Sequence, residues 1–453
     1  MRLTLTLSLV ALAGCSKMRD RLGVSADRVI ALEGATLIDG AGGAPKQDVL
    51  IIVRNGHIES IARVNEIPIP KSAQRISLVG KTVIPGLIDA HAHVERWAVG
   101  RYVAWGVTTV RDLHGEADTV LALKNDVNLG SILGPRMFSA GAMIDGIPTT
   151  YPNATGISTP DQARRAVDLH AVAGVDYLKI YTKVTPNLLR PLIDEAEKLR
   201  LPVAAHLGKT DALTAARAGV VSIEHMAGVV QAATGDPSYA TAHNTFLTGW
   251  TAEEKGWTRL DSSTIARTAR ALAQTKVAIV PTLIVHDMLS RLDNPILLMR
   301  PGMEDVPENA QSVRSVPSLL RRTGWGPGDF AAFRRSRRQQ DQFVREYKRA
   351  GGAIAAGSDA ANQLLIPGYS LHEEMALLVA AGLTPLEAIT AATRRGAQLL
   401  HADSLGLLAP GKVADLVVLN GDPARNIAAT RNIAMVMIRG RIIRPDSLRA
   451  TWK

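Results

Sequence analysis

The strongest constraint on the fold of this chain is the alternation of short apolar runs with amphipathic helical patterns through its middle. Eight of the apolar runs have strand length, and they end at His93, Leu113, Met143, Tyr181, His206, His225, Leu283 and Asp359. Alternating strands and helices are typical of βα units around a parallel sheet, and eight such units make a barrel. The pattern therefore predicts an α/β fold with a (β/α)8 barrel at residues 86–403.

The segments on either side of this region carry a second pattern, in which short β-type runs are separated by turn residues. Residues 28–85 include Asn55-Gly56, which is a strong hairpin signal. Residues 404–448 contain further short apolar runs. We expect the two segments to form one small β-sandwich domain, built from both ends of the chain.

Two histidines mark the first predicted barrel strand. His91 and His93 close the apolar run at residues 83–90, and side chains two apart on a strand point to the same face. Neutral imidazole is a good ligand for zinc and related divalent ions, so the pair makes half of a metal site. Later strands carry further candidate ligands near their ends, which are Lys179, His206, His225 and Asp359. Because barrel active sites lie at the C-terminal ends of the strands, one site could gather all of these residues.

Three of these residues have alternative interpretations. Lys179 could be an ordinary lysine whose ammonium reaches solvent, whereas a lysine in a cation cluster must be neutral or carboxylated. Asp359 follows a Gly-Ser pair and could cap a helix. His225 follows Glu224, and strand alternation turns one of the two inward. We expect His225 to be the inward residue and the ligand.

Candidate substrate contacts are less constrained by spacing. Tyr181 lies two residues after Lys179 and faces the same side of its strand, while His114 and His286 follow the second and seventh predicted strands. Residues 286–340 make a long connection, and such connections are often lids or binding loops. A substrate that ends in a carboxylate would require a basic side chain there, for which the candidates are Arg291, Arg300 and Arg314.

The first residues have the composition of an export signal. Met1-Arg2 supplies a positive start, residues 3–13 are mostly apolar, and residues 12–15 resemble a bacterial lipobox. Cys15 is the only cysteine, which suits a protein without disulfides in an oxidising compartment. We expect a lipoprotein signal peptide that ends at the lipidated Cys15, and a lipid-anchored protein on the periplasmic side of the outer membrane or the cell surface. The alternative is an ordinary cleaved signal with an incidental cysteine.

Composition and charge limit the classes of partner. Apolar residues make up 46% of the chain and charged residues 21%, which excludes a disordered or collagen-like protein. The formal net charge is +10, and many basic residues lie between Arg314 and Arg349. We interpret this run as a solvated helix face, with contact to anionic lipid headgroups as the alternative. We expect no nucleic-acid partner for an exported protein of this kind.

The motifs above resemble a known family. The stretch Val-Ile-Pro-Gly-Leu-Ile-Asp-Ala-His-Ala-His at residues 83–93, the later ligand positions, and Gly-Lys-Val-Ala-Asp-Leu at residues 411–416 look like the amidohydrolase superfamily. The chain is similar in particular to the imidazolonepropionase-like branch, which includes metal-dependent Xaa-Pro dipeptidases. The resemblance covers nearly the whole chain after about residue 28.

The resemblance implies a site of two divalent metal ions, with zinc as the expected metal. The implied ligands are His91, His93 and Asp359 for the first ion, His206 and His225 for the second, and carboxylated Lys179 as the bridge. A hydroxide that bridges the metals would attack the substrate carbonyl, and Asp359 would take its proton and pass it to the leaving group. Asp359 and Lys179 are therefore the implied catalytic residues.

The implied activity is hydrolysis of an amide bond in a small molecule, either a dipeptide of the Xaa-Pro type or an N-acyl amino acid. Two other enzymatic interpretations stay open, which are a mononuclear cyclic-amide hydrolase or deaminase and a lactonase. Mononuclear members commonly have an acid three residues after the fifth-strand histidine, where this chain has Lys209. The alternative without catalysis is a surface lipoprotein that only binds a ligand.

Overall fold

The computed structural model describes residues 28–452, so the predicted signal peptide and Cys15 lie outside the described residues. The strands in this part of the chain are β1 (Val29–Leu37), β2 (Lys46–Arg54), β3 (His57–Arg63), β4 (Gln74–Ser77), β5 (Thr82–Pro85), β6 (Leu87–Ala92), β7 (Val107–Asp112), β8 (Arg136–Ser139), β9 (Ile144–Gly146), β10 (Thr155–Ile157), β11 (Leu178–Ile180), β12 (Val203–Ala205), β13 (Ser222–Glu224), β14 (Ala278–Val280), β15 (Ala353–Ile354), β16 (Leu416–Leu419), β17 (Ile433–Ile438) and β18 (Arg441–Ile443). The α-helices are α1 (Val99–Ala104), α2 (Ala117–Asn128), α3 (Pro160–Val172), α4 (Pro186–Lys198), α5 (Ala212–Ala218), α6 (Val229–Thr234), α7 (Ser238–Ala242), α8 (Phe246–Gly256), α9 (Ser262–Gln274), α10 (Leu283–Ser290), α11 (Gln311–Arg314), α12 (Val316–Thr323), α13 (Pro327–Arg349), α14 (Tyr369–Ala380), α15 (Pro385–Thr390), α16 (Gly396–Leu399) and α17 (Pro445–Arg449).

Strands from both ends of the described chain share one sheet. Its order is β18-β17-β16-β5-β1-β2-β3, with β4 beside β1. β16 pairs antiparallel with β5, so that Val418 lies opposite Val83. The hairpin β2–β3 also contacts the C-terminal part of the chain, because the Ile58 N–H donates to the Lys412 carbonyl at 2.8 Å. The two terminal segments therefore depend on each other for their hydrogen bonds.

The strands that were expected to form a small β-sandwich are joined in one hydrogen-bonded sheet. β1 changes partner along its length, since residues 30–33 pair with β4 and residues 36–37 pair with β5. Between them Gly34 adopts a φ of 80° at an irregularity in the ladder, and such a bulge bends a strand. One core of this sheet includes Leu32, Ile51, Val83, Leu416 and Met437, and a second, smaller cluster includes Val29, Ala31, Leu50 and Ile52.

Two parallel sheets form the middle of the chain. One has the order β10-β9-β11-β12-β13-β14-β15, and the other has the order β6-β7-β8. The Ala90 N–H donates to the Ala356 carbonyl at 2.9 Å, and Ala92 forms a bridge with Ala360. These bonds place β6 beside the segment that follows β15. The predicted α/β fold with an additional β-rich part is confirmed.

Three predicted strands end at other positions. The run expected to end at Asp359 stops as β15 at Ile354. The run expected to end at Met143 stops as β8 at Ser139, Gly141 then adopts a φ of 64°, and β9 begins at Ile144. β14 stops before Leu283, because Pro281 has no N–H with which to continue the ladder and Thr282 adopts a φ of 44°. Leu283 begins α10 instead.

Helices cover the parallel sheets with apolar faces. The buried residues of α4 recur at helical spacing, and they are Leu188, Leu189, Leu192, Ile193 and Ala196. α3 is capped by Thr159, whose hydroxyl accepts from the Gln162 N–H at 3.2 Å. The main core of the molecule lies between these helices and the strands.

The basic run lies mostly on α13. Arg334, Arg335 and Arg338 are exposed, while Phe333 and Phe343 on the other side of the helix are buried. The charges thus occupy a solvated helix face, as the interpretation of the sequence requires. Among residues 28–452, no helix combines the length and the apolar composition needed to cross a membrane.

Candidate metal centre and active site

The predicted metal ligands meet at the C-terminal ends of the parallel strands. His91 lies in β6 and Lys179 in β11, and the remaining ligands follow strand ends, at His93, His206, His225 and Asp359. All of them line one cavity of about 620 Å³, a volume typical of small-molecule sites. The side chain of His93 is 24% exposed, and the other ligands are buried.

His91, His93 and Asp359 form the most compact part of this cluster. Asp359 Oδ1 lies 3.0 Å from His93 Nε2 and 3.3 Å from His91 Nε2. One ligand atom from each residue lies within 4.8 Å of the other two. Two imidazole nitrogens and a carboxylate oxygen at this separation suit one divalent ion such as zinc.

His206 and His225 extend the cluster. The ring centroid of His225 is 4.5 Å from that of His91 and 4.6 Å from that of His206. His206 Nε2 and Lys179 Nζ are buried and have no hydrogen-bond partner within the described part of the chain. Buried polar atoms without partners are destabilising, and both residues line the cavity. A second metal ion, bridged by carboxylated Lys179, would supply the missing partners, so the residues present fit this cofactor.

A buried ion pair orients His91. Glu224 Oε2 accepts from His91 Nδ1 at 2.7 Å, and Oε1 accepts from Arg111 Nη2 at 2.9 Å and from the Ser222 hydroxyl at 2.6 Å. Burial acts to raise the pKa of Glu224, but Arg111 and His91 outweigh it and hold that pKa well below its usual value. The ionised carboxylate keeps the proton on Nδ1, which leaves His91 Nε2 free to bind a metal.

Of Glu224 and His225, the structure places His225 at the cavity as expected, and Glu224 lies behind His91. β13 ends at Glu224, and His225 adopts a φ of 59°. Strand alternation therefore does not extend to His225. His225 lines the cavity as expected, while Glu224 contacts the site through His91.

The other rings are held through their Nδ1 atoms. His93 Nδ1 donates to the His114 carbonyl at 3.0 Å, and His225 Nδ1 lies 2.7 Å from the Thr282 hydroxyl oxygen. The φ values of His225, Thr282 and Asp359 are 59°, 44° and 57°. Left-handed backbone is strained in residues of these types and persists where the surroundings impose it, as they do at functional sites.

Two of the three candidate substrate contacts line the cavity, namely Tyr181 and His114. Burial lowers the pKa of His114 to about 3, so its ring is neutral. His286 was expected beside them but lies outside the lining, because α10 carries it behind the site. There its Nε2 lies 3.0 Å from the His225 carbonyl oxygen, and its Nδ1 pairs with Glu254. His286 therefore supports the backbone of a metal ligand.

The three arginines suggested for a substrate carboxylate do not line the cavity formed by the described residues. Arg291 and Arg300 form ion pairs with Asp287 and Glu373. Arg314 donates to backbone carbonyls of its own connection. A long connection has many polar backbone groups that need partners, and Arg314 supplies some of them.

The walls of the cavity are largely apolar and come from connections between strands. Phe246 and Trp250 on α8, together with Tyr151 and Tyr181, form what we call the aromatic wall. Neither Phe246 nor Trp250 was predicted to belong to the site, although the two residues have the spacing of one helix face. The connection at residues 286–340 also covers part of the site, through Met288, Leu289, Leu319 and Trp325.

Known proteins are similar to this chain in sequence or in fold. An imidazolonepropionase of Deinococcus deserti is 40% identical to this chain over 82 residues, which are 18% of this chain and 20% of that protein. The match thus spans about a fifth of the length of this relative. A solved Xaa-Pro dipeptidase with methionine bound in its active site is 21% identical, with a TM-score of 0.68, and the alignment covers 92% of this chain and 100% of that chain.

A bottromycin amidohydrolase is 22% identical, with a TM-score of 0.70, and the alignment covers 94% of this chain and 89% of that chain. Identities of this size show a common fold and leave the substrate open. The model of the Amidohydrolase family matches residues 82–443, a range that includes every candidate metal ligand. The chain therefore belongs to the amidohydrolase family.

Proposed function

We propose that this protein hydrolyses an amide bond at a two-metal centre on a closed (β/α)8 barrel. The proposal depends above all on Lys179 Nζ and His206 Nε2, which are buried without partners among the described residues. Both lie in a cavity that also contains three further histidines of the centre and the Asp359 carboxylate. Polar groups are stable in such a place when they bind a metal ion or another polar partner.

The first ion would be held by His91, His93 and Asp359, and the second ion by His206 and His225. Carboxylated Lys179 would be a ligand of both ions. Zinc suits this combination of imidazole and carboxylate ligands. When bound, such ions polarise a carbonyl group and lower the pKa of water.

Burial prepares Lys179 for carboxylation. Its side chain is almost fully buried, and burial lowers its pKa to about 8. A fraction of the side chains is therefore a neutral amine near neutral pH, and its nitrogen can form a bond to the carbon of CO₂ while one N–H proton is released. The product is an anion with two oxygen atoms, which is a suitable ligand where an ammonium is not.

Asp359 is the residue that we assign to proton transfer. It lies beside both histidines of the first set and lines the cavity. As a carboxylate it can accept a proton from the attacking water and donate it to the leaving nitrogen. Tyr181 and neutral His114 line the space next to the centre and are the proposed contacts for the polar part of the substrate.

The test is the metal content per chain of wild type and Lys179→Ala, measured by atomic emission and joined to an assay on a panel of amides. Lys198→Ala is the matched control, because Lys198 is an exposed lysine on α4. We expect close to two ions and amide hydrolysis in wild type and the control, with a sharp loss of both in Lys179→Ala. Bound metal without hydrolysis of any amide would contradict the proposal.

A one-metal cyclic-amide hydrolase is the second candidate. The compact group of His91, His93 and Asp359 favours it, since these residues alone can hold one ion. This candidate predicts one ion per chain both in wild type and in Lys179→Ala. It also predicts intact activity in the variant toward a cyclic amide.

We also propose that the protein is exported and lipidated at Cys15. The apolar residues 3–13 and the single cysteine support this proposal. Mass spectrometry of the full-length protein expressed in a bacterium should find an acylated N-terminal cysteine. The Cys15→Ser variant should lack the lipid, and an unmodified Cys15 in wild type would refute the proposal.

A further inference from the structure

We propose that the natural substrate is an uncharged amide with a bulky aromatic or branched group, and not a free dipeptide or an N-acyl amino acid. This inference rests on the proposed amide hydrolysis and narrows its substrate class. It follows from the apolar surface and the charges around the cavity.

The aromatic wall begins directly beside the metal ligands. The His206 ring centroid is 5.7 Å from that of Phe246 and 5.2 Å from that of Trp250. Phe246 continues the wall to Tyr181, at 5.5 Å, and to Tyr151, at 6.4 Å. A substrate whose carbonyl reaches the centre must place an adjoining group against these rings. Such a surface favours flat or branched apolar groups, which it can stack on and bury.

Further apolar side chains line the cavity. They include Val285, Met288, Leu289, Leu319 and Leu365. A cavity of about 620 Å³ lies within the range of pockets that enclose drug-sized ligands. A small polar dipeptide would leave much of this apolar surface in contact with water, whereas a bulky apolar group would cover it.

Charges around the cavity disfavour a substrate carboxylate. The cationic residues among its described lining are Lys179, at the metal centre, and Arg96. Arg96 is exposed, and its Nη2 lies 2.9 Å from the Asp126 carboxylate. Glu95 and Glu116 also line the cavity. A carboxylate would meet no buried cation there apart from the centre itself, and it would be repelled by these two acids.

The inference is tested with two compounds that share one scissile amide and both aromatic rings. N-benzoyl-L-phenylalanine carries a carboxylate, and N-benzoyl-2-phenylethylamine lacks it. We expect kcat/KM of the zinc-loaded full-length protein to be at least tenfold higher for the uncharged compound. A smaller preference, or the reverse one, would overturn the inference while the proposed hydrolase activity stands.

Two variants test the wall and the charge separately. Trp250→Ala should raise KM for N-benzoyl-2-phenylethylamine at least fivefold. Trp452→Ala should leave KM unchanged, because the Trp452 ring stacks on Arg101 and does not line the cavity. Arg96→Ala should leave kcat/KM for N-benzoyl-L-phenylalanine unchanged. A tenfold loss in that variant would show that Arg96 binds the carboxylate, and it would contradict the inference.

Direct binding separates this inference from the proposed function. Isothermal titration calorimetry with both compounds measures affinity even if neither is hydrolysed. At least tenfold tighter binding of the uncharged amide without hydrolysis would support the inference and contradict the proposed function. Tighter binding of the carboxylate compound, or no binding of either, would contradict the inference itself.

Discussion

The floor and the walls of the active-site cavity are built by different parts of the chain. The floor consists of residues at strand ends, such as His91 and Lys179, and it is backed by the buried Glu224–Arg111 pair. The walls come from helices in the connections, and Met288 and Leu319 belong to a hydrophobic cluster distinct from the main core. We therefore expect the residues at the ends of the parallel strands to determine the catalytic rate and the residues of the connections to determine which substrate binds. Substitutions in the two regions should affect different kinetic constants.

The largest effect is expected on the floor, at Asp359. Asp359→Asn keeps the shape of the side chain but removes its ability to take a proton, so kcat should fall by about 10²- to 10⁴-fold. Steady-state kinetics at matched metal content measures this loss. Asp293→Asn, at the surface pair with Arg334, is the control. A loss below tenfold with the metal still bound would assign the proton transfer to another residue.

Glu224→Gln should lower both the stability of the protein and its affinity for metal ions. The substitution removes the charge that compensates buried Arg111, and breaking such a pair destabilises a protein by about 3–5 kcal/mol. It should also reduce metal affinity by about 10- to 100-fold, because His91 loses its orienting partner. Urea unfolding of the metal-free protein and metal titration measure the two effects. Glu195→Gln, at the surface pair with Lys198, should change neither, and equal stability of both variants would contradict this role.

Glu374 connects the main core to the wall helix α10. Its Oε2 accepts from the Ile284 N–H at 2.8 Å, and burial raises its pKa to about 8. In the folded protein the Glu374 carboxyl therefore keeps its proton up to about pH 8. In the unfolded chain the same carboxyl loses its proton above the ordinary pKa of 4.5. The stability from this proton is complete at low pH and declines as the pH rises toward about 8.

Glu374→Gln should remove this dependence, because glutamine is neutral at every pH and can still accept from Ile284. Relative to wild type, the free energy of unfolding of the variant should increase by roughly 3–4 kcal/mol between pH 5 and pH 8. Urea unfolding at several pH values measures the difference. A difference that does not change with pH would show that Glu374 is already ionised in the folded protein.

The smallest effect is expected on the walls. Phe246→Ala should raise KM for a benzoyl amide by about tenfold, which corresponds to roughly 1.4 kcal/mol of lost contact, while kcat stays nearly constant. Phe246→Leu should recover part of the loss, and Leu169→Ala, at an exposed position on α3, should cause none. A fall in kcat as large as that in Asp359→Asn would remove the distinction between floor and walls.

The floor could be predicted from sequence because strand ends obey a simple geometry. His91 and His93 are two residues apart, and later ligands such as Lys179 lie near the ends of short apolar runs. The role of Glu224 was not predicted. Strand alternation ends at the left-handed backbone of His225, and alternation alone does not show that Glu224 orients His91 from outside the cavity.

The walls could not be predicted, because the path of a connection depends on tertiary packing. His286 and Arg300 are close in sequence to residues that line the cavity, yet each one pairs with a buried or half-buried acid elsewhere. Phe246 and Trp250 show a helical spacing, but spacing alone does not tell which element a face will cover. The irregularity of β1 at Gly34 is likewise not revealed by a run of apolar residues.

The pairing of β5 with β16 has a consequence for how this chain is made. Val83 can pair with Val418 only after all the residues between them have been synthesised, and until then one edge of β5 has no partner from β16. Contacts between such distant positions form slowly, and an exposed strand edge can pair with other chains. The pairing of β5 with β16 is therefore the step of folding at which this chain is most exposed to aggregation.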